Sequence, residues 1–131
     1  MRLFYIFACV TLILFTGYSC TESYGDRIEV ENLEVYYLLP VQEEDAQKLG
    51  DYFIKNNLAS GERQSIQISK KKNTYVLKLI LSAESEKDIS EEAKESLKTH
   101  AKQIGNTIFD SSEVRVEITD EHFETLLKIE D

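Results

Sequence analysis

Apolar residues fall into distinct periods along the chain, and each period predicts an element. Leu3 to Phe15 is apolar apart from Thr11. From Ile28 the period is two. Ile28 and Val30 share one phase, Glu31-Asn32 interrupts, and Leu33, Val35, Tyr37 and Leu39 resume on the opposite parity. A skipped beat of this kind is a tight hairpin or a bulge, and Asn tolerates the positive φ that either needs. The pattern predicts a short strand over 27–30 and a main strand over 33–39, stopped by Pro40.

The period then becomes helical. Ala46, Leu49, Gly50, Phe53 and Ile54 recur at spacings of three and four. Glu43, Glu44 and Asp45 suit the positive end of the helix dipole, Lys55 suits the other end, and Asn56-Asn57 is a left-handed stop. Ile66 and Ile68 alternate with polar residues, Lys70-Lys71-Lys72-Asn73 makes a charged turn, and 74–81 reads as a strand. In that strand Tyr75, Leu77, Leu79 and Leu81 share a face, with Val76, Lys78 and Ile80 opposite. After the polar loop SAESEKD, Asp88 or Ser90 is placed to cap a longer helix. Its stripe is Ala93, Leu97, Ala101, Ile104 and Ile108, with Phe109 beside it. Val114, Val116 and Ile118 alternate as a further strand. The tail from Thr119 reads either as a helical turn or, through Thr125, Leu127 and Ile129, as a short last strand.

Each helix has one apolar stripe and most strands have one apolar face, as two packed layers require. With right-handed crossovers, this order predicts an α+β, two-layer ferredoxin-like β-α-β-β-α-β sandwich. Its antiparallel sheet carries both helices on one face, and an N-terminal hairpin or bulge and a C-terminal extension are appended.

The first twenty residues carry the address. One cation, Arg2, precedes the apolar run, and small or polar residues follow it to Cys20, the layout of an export signal. The run is about 13 residues long, short of the ~20 a spanning helix needs. Extended through Ser19 it reaches about 17 residues, the lower limit for a span, so an uncleaved anchor is the competing reading, beside ordinary cleaved secretion. Cysteine occurs only at Cys9 and Cys20. Removal of 1–19 would leave Cys20 with no partner for an internal disulfide, an odd thiol that needs another use.

Gly17-Tyr18-Ser19-Cys20 resembles the lipobox of bacterial lipoproteins, with Gly17 and Tyr18 where that family usually has leucine and a small residue. The resemblance implies diacylation of Cys20, cleavage before it and acylation of the new amino terminus. The domain organisation expected is a signal peptide over 1–19, a lipidated tether over 20–26 and one α+β domain over 27–131. The stretches Glu34-Val35-Tyr36-Tyr37, Glu43 to Phe53 and Asn73 to Leu81 also look similar to a small uncharacterised bacterial exported domain. That likeness implies no activity and no site residues.

Charge narrows the partners. Removing 1–19 takes away one cation and no carboxylate, moving the net charge from −9 to −10. Such a chain repels nucleic acid phosphates, so no nucleic acid partner is expected. Chemistry is sparse. His100 sits at the margin of a helical stripe, which reads as a half-buried histidine. His122, in Asp120-Glu121-His122-Phe123-Glu124, lacks the second histidine or cysteine that a zinc site usually has. No nucleophile elbow, phosphate loop or CxxC pair occurs, and no metal, cofactor or catalytic residue is assigned. Lys70-Lys71-Lys72 is a basic knuckle, read first as a solvated turn.

Tyr36, Val76, Lys78 and Ile80 remain as a candidate interaction surface on the helix-free sheet face, unless the N-terminal hairpin or the C-terminal tail covers it. The reading is a lipid-anchored protein of the bacterial cell envelope, a non-enzymatic binding or structural module with a protein partner there. The alternative is a small enzyme, or an inhibitor presenting an acidic loop, 83–88 or 119–124. His122 in a deep polar cleft would favour the enzyme.

Overall fold

The skipped beat at Glu31-Asn32 is a hairpin. The positive φ falls on Glu31, at 55°, and not on the asparagine. Asn32 instead uses its amide to donate to the Gly61 carbonyl, 2.9 Å away. The computed structural model describes residues 23–81 and 89–130, and the signal segment with Cys20, as well as the loop 82–88, lie outside them.

The elements are β1 Asp26–Val30, β2 Leu33–Tyr37, α1 Glu43–Lys55, β3 Gln64–Lys71, β4 Thr74–Ile80, α2 Glu91–Ile108, β5 Glu113–Thr119 and β6 Thr125–Ile129. The tail therefore resolves as a strand. β2 stops at Tyr37, two residues before the expected end, and Leu39 is 79% exposed beside Pro40. Helix α1 buries Ala46, Leu49, Gly50 and Phe53, the predicted stripe, and Asn57 takes the left-handed φ of 55° that stops it. Ser90 caps α2, its Oγ accepting from the Ala93 amide at 3.1 Å. Ala93 itself is exposed, so the apolar stripe of α2 engages the sheet only from Leu97 onward.

The six strands lie in sequence order, β1-β2-β3-β4-β5-β6. The hairpin pairs β1/β2, β3/β4 and β5/β6 are antiparallel. The helix-crossed pairs β2/β3 and β4/β5 are parallel. This corrects the ferredoxin-like expectation. There a crossover skips over a strand of an antiparallel sheet; here each helix joins immediate neighbours of a mixed one, and β1 and β6 are full members of that sheet.

The physical reason lies in the faces. One apolar row, Ile28-Val35-Ile66-Leu79-Ile118-Leu127, crosses all six strands in register. A second, Tyr37-Ile68-Leu77-Val116-Ile129, runs beside it. On the opposite side the row is Arg27-Tyr36-Gln67-Lys78-Glu117-Lys128. Only one face can bury a helix, so both helices take it, and they touch where Tyr52 of α1 bonds His100 and Gln103 of α2. Both crossovers step the same way across the sheet, yet β2 and β3 run opposite to β4 and β5. With the helices on one side, the two crossovers must then have opposite hands. The expectation took both as right-handed, the strongly preferred hand, and only a split arrangement satisfies that. Burial of one shared apolar face overrides the preference here.

Candidate functional site: the helix-free sheet face

Alternation along the strands puts Tyr36, Val76, Lys78 and Ile80 on the face without helices. They do not form one open patch. All four are half-buried, and two further segments lie across the face. The first is the chain entering β1. Gln67, itself buried, donates from Nε2 to the Tyr24 carbonyl at 3.0 Å. Gly25 then passes so close to β2 that a Cβ on it would stand 2.3 Å from the Tyr37 carbonyl oxygen, with φ at 92°. Only glycine fits that combination.

The second segment is the loop between β5 and β6. Asp120 Oδ1 accepts from the amides of His122, at 2.8 Å, and Glu124, at 3.0 Å. This closes a turn in which Phe123 adopts φ of 58°, and it drives the Phe123 ring onto the sheet, where it is 5% exposed. Tyr24, Tyr36 and Phe123 then meet edge-to-face, with centroids 6.0, 5.5 and 5.6 Å apart, geometry favoured by the ring quadrupoles. Lys78 donates to the Phe123 carbonyl at 3.0 Å. Tyr36 and Lys78 are thus brought together beneath this cover. Val76 is set apart from them, between Ser69 and Arg115 in register, and Ile80 pairs with Thr119.

Beside the trio is a buried carboxylate. Glu34 is 6% exposed. Its Oε1 accepts from Arg63, through Nε at 2.7 Å and through a terminal nitrogen, and from Arg27 at 3.5 Å. Its Oε2 accepts from Ser65 at 3.0 Å and Tyr36 at 3.4 Å. Burial pushes the carboxyl up, but the hydrogen bonds from Arg63 and Ser65 and the charges of Arg63 and Arg27 outweigh it and hold the group below the usual carboxylate range. The same contact raises Arg63.

The histidines are placed apart. His122 is exposed, its Nδ1 3.0 Å from the Tyr24 hydroxyl and its Nε2 3.6 Å from Glu121. It lines no cleft. The Tyr52 hydroxyl donates to Gln103 Oε1 at 2.7 Å, so the hydrogen between it and His100 Nδ1, 2.8 Å away, comes from the imidazole. Burial raises the Tyr52 phenol. Among the described residues no group of three histidine, cysteine or acidic side chains could hold a metal ion. The arrangement can order and present a surface; it brings no nucleophile together with a base.

Sequence reading missed Tyr24, Phe123 and Glu34. Two signals existed. Tyr24 is a large ring within a polar tether, and Glu34 is a lone acid inside LEVYY, flanked by Arg27 and Arg63 at a distance that only the sheet closes.

A protein-family profile described as a family's N-terminal domain matches residues 27–131. No curated protein and no solved structure matches the chain.

Proposed function

The chain belongs to the family whose N-terminal domain matches residues 27–131, and we propose that it is a bacterial lipoprotein. Cys20 anchors it to a membrane of the cell envelope, and its domain is a non-enzymatic binding or structural module with a protein partner there. The observation that carries this is the order of the leader: Arg2, the apolar run Leu3–Phe15, then Gly17-Tyr18-Ser19-Cys20. Acyl chains contribute ~0.8 kcal/mol per buried methylene, so two or more hold a protein on a bilayer durably.

The start of the folded region fits this reading. Tyr24 is already fastened to β3 by Gln67, so the tether is shorter than 20–26. From Cys20 to Tyr24 an extended chain covers at most about 14 Å. A lipid on Cys20 therefore keeps the covered, helix-free face within that reach of the head groups and turns the helices outward. The exposed position of His122 supports a binding role over a catalytic one.

Metabolic labelling with an alkyne-tagged fatty acid tests the anchor. Wild type takes the label and sediments with membranes; Cys20→Ala loses the label and keeps the heavier, unprocessed chain. An unlabelled wild-type protein in the soluble fraction would overturn the reading.

A further inference from the structure

Strand β5 is longer than the neighbour that covers it. Its pairing with β4 begins at Thr74↔Glu113, whereas its pairing with β6 runs only from Thr119↔Thr125 to Val116↔Ile129. Glu113, Val114 and Arg115 therefore have β4 on one side and, among the described residues, no strand on the other. A groove lies along each face of this short edge. On the helix side it has a volume of about 640 Å³, with Lys98 and Lys102 of α2 on its rim and Ala101, Val116 and Ile129 in its floor. On the helix-free side a groove of about 360 Å³ is lined by Lys71, Lys72 and Lys128. Arg115 belongs to both.

On a chain of net charge −9, these six cations face three carboxylates, Glu113, Glu117 and Glu130. We propose that this edge receives an extended acidic segment of a partner protein as an added strand in line with β6. An extended peptide sends successive side chains to opposite faces. Because both grooves are cationic, carboxylates at consecutive positions are received on both sides, and the apolar floor under α2 takes one aliphatic side chain. Main-chain pairing with Glu113–Arg115 supplies the geometry, as in other strand-addition complexes. The acidic remainder of the surface repels the same segment, which confines it to this end of the sheet. The site does not depend on the lipid anchor.

The test uses the full chain in non-ionic detergent and a fluorescein-labelled hexapeptide of five acidic residues and one valine. Anisotropy reports binding that weakens with added salt, and residue-resolved amide exchange slows at Glu113, Val114 and Arg115. Lys98→Glu with Lys102→Glu weakens binding by about tenfold or more, and Lys71→Glu with Lys72→Glu does so separately. All four positions carry solvent-facing side chains, so circular dichroism matches wild type. Three results would overturn the proposal: equal binding of the same peptide with lysines for its acids, affinity indifferent to both charge reversals, or a dimer that protects these amides without peptide.

Discussion

Arg63, in the loop before β3, donates through two of its guanidinium nitrogens to a single oxygen of Glu34 on β2. Ser65 and Tyr36 hold the other oxygen. The carboxylate is thus fully engaged although its side chain lies almost out of water. This joins the β2/β3 crossover at the sheet, where main-chain bonds alone would leave the loop 56–63 attached only at its ends.

The pH dependence follows from that contact. Glu34 titrates lower in the folded chain than its ordinary value of 4.5, so its contribution is present above about 4.5 and lost as pH falls through the lowered folded value. Urea midpoints measured from pH 7 down to 3 are expected to fall more steeply for wild type than for Glu34→Gln. Arg63→Ala should lower the midpoint at pH 7 and flatten the same slope. Parallel curves for the three proteins would remove Glu34 from the account.

Phe123 closes the helix-free face. Truncation to alanine removes a buried ring in contact with two others, and costs about 3 kcal/mol in chemical denaturation. Because Tyr24 packs on the same ring, Phe123→Ala should also speed hydrogen exchange at Tyr24 and Gly25 while leaving the centres of β3 and β4 protected.

Two helical glycines separate propensity from packing. Alanine favours a helix over glycine by about 1 kcal/mol, yet both replacements meet an obstacle. At Gly105 the added Cβ would stand 2.2 Å from the Ser112 carbonyl oxygen, and at Gly50 2.5 Å from a Val30 methyl. Backbone yields less readily than a side chain on an edge strand. Gly105→Ala is therefore expected to destabilise by about 2 kcal/mol, and Gly50→Ala by less, as thermal unfolding of the two variants will report.

The cap of α2 gives a calibration. Ser90→Ala removes the bond to the Ala93 amide and should cost about 1 kcal/mol, with Ser90→Asp close to wild type. Helicity at 222 nm near the thermal midpoint checks it.

The elements could be read from the chain because their signals are local. The stripe of α1, the alternation in β4 and the left-handed stop at Asn57 each depend on a few neighbouring residues. Strand order does not. A period-two run records that one face is buried but says nothing of which strand lies beside it, and the usual hand of crossovers pointed to the wrong neighbour. The cover on the helix-free face was hidden for a similar reason. Tyr24 and Phe123 stand at opposite ends of the domain, within segments whose composition is that of loops, and only the finished sheet brings them into contact.

Because the strands stand in the sheet in the order in which they occur in the chain, none has to wait for a distant partner. As the polypeptide emerges amino end first, each new strand can dock on the one just laid down, a layout whose mostly local contacts favour rapid assembly. The clasp of Tyr24 by Phe123 is the exception. It links the first and last pieces to arrive, so it can fasten only when everything between them is already in place.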